Sequence, residues 1–152
     1  MKRKLREARG FTLIEMSVVI LLLGIIAAFG VPAYVKLNHS LQLKGAVANL
    51  AGQLQLARQK AMATGTPQIM HLYASTYEAD YHIHNNPSGQ PDSKWKFPKD
   101  VTYVWSTGTL SGQMVQMNPD GRADRSGMVI LQTLGGLRDT VNVQLSGLVL
   151  QQ

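Results

Sequence analysis

The chain has 152 residues, a formal net charge of +6 and no cysteine. That length holds one domain beside an anchor, and the lack of thiols excludes disulfide staples, cysteine metal sites and thiol nucleophiles. The positive excess is gathered at the start: Lys2, Arg3, Lys4, Arg6 and Arg9 face only Glu7, whereas ten basic and eight acidic residues follow Gly10. The balance therefore signals membrane topology rather than a nucleic-acid footprint.

Residues 1–10 form a short basic leader. The stretch Gly10-Phe11-Thr12-Leu13-Ile14-Glu15 follows, and then Met16 to Val35 run without a charge. Twenty helical residues span about 30 Å, the hydrocarbon thickness of a bilayer. The basic flank keeps this end in the cytoplasm and sends the rest of the chain across. An ordinary cleaved signal peptide, cut near Val31-Pro32-Ala33, leaves Glu15 inside the apolar region unexplained. So does a simple anchor, because an unpaired carboxylate in hydrocarbon costs several kcal/mol. Cleavage between Gly10 and Phe11 resolves this. It gives Phe11 a free amine at the membrane edge, four residues from Glu15, to pair with that carboxylate in the same chain or a neighbouring one. Gly10 presents no side chain to obstruct a peptidase.

Residues 11–35 are thus read as the transmembrane and assembly helix, and 36–65 as its amphipathic continuation. Leu37, Leu41, Val47, Leu50, Leu54, Ala57 and Ala61 recur at helical steps, with one gap of six near Gly45. Pro32 is expected to bend the helix. Asn38-His39-Ser40 is the place where it would break if it were not continuous. Gly65-Thr66-Pro67 stops it.

From residue 66 to 152 the period becomes alternating. Gln68 to Ala74 and Tyr77 to His84 read as a hairpin, with Tyr77, Ala79, Tyr81 and Ile83 inward and Glu78, Asp80, His82 and His84 outward. Asn85 to Ser93 reads as a polar loop. Val101, Tyr103 and Trp105 alternate in a further strand, and Met114 to Met117 lead into the turn Asn118-Pro119-Asp120-Gly121. Strands are expected over Met128–Thr133, Thr140–Leu145 and Leu148–Leu150, with a turn at Gly135-Gly136. The sum is an α+β fold of six or seven strands: a long N-terminal helix, membrane-spanning in its first half, packed on a small antiparallel sheet.

The run Arg9-Gly10-Phe11-Thr12-Leu13-Ile14-Glu15 resembles the class III signal of type IV pilins and pseudopilins. That resemblance implies cleavage by a prepilin peptidase after Gly10, N-methylation of Phe11, and an assembly role for Glu15. Pro32 matches a proline common in the first helix of the family. Leu54 to Met62 followed by Gly65, the Asn118-Pro119-Asp120-Gly121-Arg122 turn with Gly127, and the late Gly147 are similar to H-type minor pseudopilins and FimT-like minor pilins. Residues 73–110 have no match. The resemblance implies a minor pseudopilin, a structural subunit of the filament that helps a type II secretion system export folded proteins. The alternative is a minor pilin that primes a type IV pilus or serves DNA uptake. Implied partners are other pseudopilins, the prepilin peptidase, the inner-membrane secretion platform and membrane lipid. The implied location is the bacterial inner membrane, with the C-terminal domain in the periplasm.

Other constellations read weakly. His71, His82 and His84 could form a metal cluster, and His82 and His84 share a strand face, but two histidines without a reliable third ligand read as a solvated strand face, so no metal or cofactor is expected. Asp120 and Asp124 lack the oxygen set that calcium needs. Trp95 and Trp105 read as core or interface. Nucleic acid is disfavoured: the final Gly147-Leu148-Val149-Leu150-Gln151-Gln152 carries no arginine, and Asp120, Asp124 and Asp139 stand near Arg122, Arg125 and Arg138. No triad or carboxylate pair suggests an enzyme.

Overall fold

A computed structural model describes residues 10–73, 81–85, 91–108 and 114–151. The expectations placed on Ala74, Tyr77, Glu78, Ala79 and Asp80, and on the leader before Gly10, lie outside these residues, as does the side chain of Trp105. The chain divides into two compact units, Met1–Leu37 and Asn38–Gln152.

The first unit contains the start of α1, which runs from Leu13 to Thr64. Leu, Ile, Val and Ala fill this part, and straight-chain and small residues hold a helix readily. The helix is long and apolar enough to cross a membrane, and no residue of its apolar window is buried. α1 runs on through Pro32, which has no N–H to give the carbonyl one turn earlier. It also runs on through Asn38-His39-Ser40, so no break occurs there.

In the second unit, α1 buries Leu43, Ala46, Val47, Leu50, Ala51, Leu54, Ala57 and Ala61. This stripe differs from the expected one at its start. Leu37 and Leu41 are exposed, and Leu43 and Ala46 take the first core positions. The expected gap of six near Gly45 arose from following Leu41 instead of Leu43. Gly65 ends α1 with φ +65, the left-handed conformation that glycine adopts at no steric cost.

Eight strands follow: β1 Gln68–Leu72, β2 Tyr81–Asn85, β3 Pro91–Trp95, β4 Val101–Gly108, β5 Met114–Met117, β6 Gly127–Thr133, β7 Arg138–Val143 and β8 Val149–Gln151. They form two antiparallel sheets rather than one, in the orders β3-β2-β1-β5 and β4-β6-β7-β8. The expected loop from Asn85 to Ser93 gives way to β3 from Pro91 onward. In β4 the register shifts between Tyr103 and Trp105, so the expected alternation ends at a bulge.

One buried cluster joins the helix stripe to both sheets. It includes Met70 and Leu72 of β1, Tyr81 and Ile83 of β2, Val115 and Met117 of β5, Val129 and Leu131 of β6, and Val141 and Val143 of β7. Tyr81 stacks on Trp95 with centroids 5.3 Å apart and packs against Phe97. Trp95 is thus a partly buried flank of the core. β1 and β6 bury every second residue, the signature of a half-buried sheet, whereas β2 buries His84 directly after Ile83. His71 of β1 and His82 of β2 lie between buried residues, on the other face of the first sheet, and the buried ring of His84 stacks on that of His71.

Candidate functional site

The residues expected to carry function at the head of α1 do come together. Thr12 is the N-cap, and its Oγ1 accepts a hydrogen bond from the Glu15 amide at 3.2 Å. Glu15 Oε2 accepts in return from the Thr12 amide and the Thr12 hydroxyl, both at 3.3 Å. This reciprocal pair is a capping box, in which two donors orphaned at a helix start find partners. The Met16 amide donates to the Thr12 carbonyl at 3.2 Å and opens the helical ladder. The Thr12-Leu13-Ile14-Glu15 spacing is the sequence signal for this cap, and the reading of Glu15 as a pairing group alone passes over it.

The cap aims the Glu15 carboxylate back toward the start of the helix. Gly10, Phe11, Thr12 and Glu15 line one open recess there. Phe11 is three-quarters exposed, and a Cβ at Gly10 would meet no atom within 4 Å. The Gly10–Phe11 peptide is thus reachable in the described residues. A carboxylate at a helix N-terminus also sits favourably in the positive end of the helix dipole.

In the second unit the residues singled out around Gly121 and Gly147 meet each other. The Gly121 amide donates to the Asn118 carbonyl at 2.9 Å, closing the expected turn, and the Asn118 amide donates to the Arg122 carbonyl at 2.8 Å. Arg58 Nε of α1 donates to the Gly121 carbonyl at 2.7 Å. Asp120 and Asp124 do not converge on a cation site: Asp120 Oδ1 accepts from the Arg122 amide, and Asp124 Oδ2 pairs with Arg125 Nε at 3.3 Å. Arg138 Nε donates to Gln132 Oε1 at 3.0 Å. Arg125 and Arg138 are thus each held by a neighbouring side chain.

The histidines depart from expectation. β1 pairs with β2 so that His71 stands directly across from His82. His84 lies diagonal to His71 on the same face, with ring centroids 4.8 Å apart, and the His71–His82 centroids are 5.1 Å apart. His71, a candidate in the sequence but not a reliable third ligand there, is thus placed beside the other two imidazoles. Only the register of the hairpin reveals it. Burial pushes the pKa of His71 and His82 below the usual imidazole value. The next cause for each is His84, followed by His82 for the first ring and Lys94 for the second.

Residues 5–31 match the family model of the prokaryotic N-terminal methylation motif. Three solved structures share the fold of most of the chain. The minor pseudopilin EpsH from the type 2 secretion system of Vibrio cholerae aligns with TM-score 0.58 and 12% identity, covering 73% of this chain and 96% of that one. The type IV minor pilin FimU of Pseudomonas aeruginosa aligns with TM-score 0.59 and 13% identity, covering 74% and 90%. The fold is that of a type IV pilin-like subunit. A second EpsH structure from Vibrio cholerae gives TM-score 0.54 at 10% identity, covering 72% and 92%. No curated protein matches. The pilin-like fold is equally near a secretion pseudopilin and a pilus minor pilin. The motif match, unlike the fold match, covers the head of the helix, where Gly10, Phe11 and Glu15 lie.

Proposed function

We propose that this chain is a minor pseudopilin, a structural subunit of the periplasmic filament that helps a type II secretion system export folded proteins. The observation that carries this reading is the Gly10–Phe11–Glu15 junction opening a membrane-length helix in a chain of pilin-like fold. In this reading residues 1–10 are a leader that a prepilin peptidase removes, and the amine of Phe11 is then methylated. Residues 11–35 anchor the subunit in the inner membrane as a single pass, with Pro32 letting the helix bend. Residues 36–65 continue the helix and residues 66–152 form the periplasmic domain.

Glu15 recruits the subunit. In lipid its carboxylate seeks a cation, and the Phe11 amine of a neighbouring pseudopilin at the same depth supplies one. Removing one partner of a buried pair costs about 3–5 kcal/mol, enough to block incorporation. The chain does no chemistry of its own and needs no cofactor for this role. It is the peptidase's substrate and a filament brick, handled by the inner-membrane secretion platform.

The likeness to a pilus minor pilin favours a second reading, a FimT-like subunit that primes a type IV pilus. DNA uptake within that reading is disfavoured, since Asp124 neutralises Arg125. The deciding experiment is a clean deletion in the native host. Exoproteins are measured in medium and periplasm, and surface pili are scored on the same cells. Exoproteins trapped in the periplasm beside normal pili are expected. Normal secretion with lost pili or lost DNA uptake would transfer the chain to the pilus.

A further inference from the structure

The outer face of the first sheet holds three imidazoles that the filament role does not use. His71, His82 and His84 come from two adjacent strands, and their candidate ligand nitrogens all lie within 4.8 Å of one another. His71 and His82 are half-buried, and His84 is only 7% exposed. His84 Nδ1 stands 3.0 Å from the Asn85 carbonyl oxygen. A carbonyl only accepts, so Nδ1 carries the proton and the lone pair of the neutral ring sits on Nε2. This is the second-shell arrangement that fixes tautomer and ring angle in metal-ligating histidines. The Tyr73 hydroxyl lies 3.5 Å from His82 Nε2, beside the cluster.

We propose that His71, His82 and His84 form a binding site for one zinc-class divalent cation, held by three imidazole nitrogens with a fourth position open to solvent. Zinc takes imidazole nitrogen at about 2.0–2.1 Å in tetrahedral geometry, which sets ligand nitrogens about 3.3 Å apart. The present spread therefore closes by movements of about 1 Å, within reach of ring rotation on a fixed hairpin register. Imidazole suits zinc, copper and nickel and is a poor home for calcium or magnesium, which want oxygen. Three protein ligands with an open fourth place are also what a catalytic or bridging site uses, whereas a purely structural zinc is closed by four. Lys94, opposite His82 on β3, works against the cation. It stands at the edge of the cluster, with His82 between it and His71.

The test uses the full chain purified in detergent without a polyhistidine tag and stripped with EDTA. Zinc is titrated calorimetrically, and cobalt(II) serves as a visible-absorption probe of coordination. The expected result is one zinc per chain and intense visible cobalt bands of a low-coordinate nitrogen site. His71→Gln and His82→Gln are each expected to weaken zinc at least about tenfold, since even loss of a second-shell partner costs that much. His39→Gln, remote from the cluster, is expected to bind as the parent chain does. Zinc uptake that survives unchanged in the His71→Gln/His82→Gln double variant would overturn the site. So would a parent chain that takes up no zinc and leaves cobalt with the pale spectrum of its aquo ion, a result that needs no variant to fold.

Discussion

Gly147 and Gly121 meet backbone to backbone: a Cβ on Gly147 would overlap the Gly121 carbonyl oxygen and lie 3.1 Å from its carbon. Both glycines have positive φ, +77 and +79, so each is the residue its turn demands. Replacing Gly147 by alanine adds steric overlap to the left-handed strain. Gly136 is the control, with φ +81 and nothing within 4 Å of its Cβ position. Gly136→Ala is expected to cost about 1–2 kcal/mol from backbone strain alone. Gly147→Ala should cost a further 1–3 kcal/mol or so for the forced shift. Thermal unfolding of the two variants in detergent compares them. A midpoint loss for Gly147→Ala no greater than for Gly136→Ala would contradict the contact.

The same carbonyl oxygen receives the Arg58 guanidinium at 2.7 Å, so α1 and the two turns are tied at one atom. Arg58→Met keeps much of the stem and removes the donor, at an expected cost of about 1–3 kcal/mol. Because Arg58 and Gly147 share this partner, their effects should not add. A double-mutant cycle of Arg58→Met with Gly147→Ala is expected to give a coupling of at least about 0.5 kcal/mol. Strict additivity would mean that the tie is not shared.

The alternation of Tyr81 and Ile83 was legible in the sequence because period two is a local property. So was the turn at Asn118-Pro119-Asp120-Gly121, written by proline and glycine preferences that act over four residues. The division into two sheets was not legible, because β5 joins β1 and β4 joins β6 across long stretches of chain. β3 stayed hidden since Pro91, Asp92, Ser93 and Lys94 show no apolar alternation. The capping role of Glu15 is written in the spacing Thr12-Leu13-Ile14-Glu15, which the reading of Glu15 as a pairing group alone passes over. His71 needed the cross-strand register that pairs it with His82. The helix stripe offers a direct check. Leu50 is fully buried and Leu41 is 59% exposed, although the sequence put both on one face. Leu50→Ala is expected to lower stability by about 2–5 kcal/mol, and Leu41→Ala by no more than about 0.5 kcal/mol. Chemical denaturation of both variants measures the difference, and equal losses would return Leu41 to the core.

Glu15 closes the cap of α1, and the proposed filament role gives its charge a second task; two substitutions separate them. Glutamine at this position can still close the capping box with Thr12, but it cannot pair with an amine as an anion. Glu15→Gln should therefore preserve helix content yet fail to crosslink to filament neighbours in membranes. Glu15→Ala should fail in both, losing about 0.5–2 kcal/mol of cap besides. Circular dichroism and in-membrane crosslinking report the two roles. Normal crosslinking of Glu15→Gln would reduce Glu15 to a helix cap.

Metal-free protein should lose stability in mild acid through its histidine face. His71 and His82 have folded pKa values lowered from 6.5, first by burial and then by His84, with His82 adding to the first and Lys94 to the second. Among the described residues no acid contributes to either shift, and Tyr73 and Lys94 are titratable groups beside His82. The unfolded chain therefore binds protons first as pH falls below 6.5. The stabilising contribution is complete above that value and is lost as pH drops from 6.5 through the lower folded values. Unfolding midpoints of the EDTA-treated chain, taken from pH 8 down to about 5, should fall below 6.5, and His71→Gln/His82→Gln should flatten that slope. A double variant that keeps the parent's full acid sensitivity would place the titrating groups elsewhere in the chain.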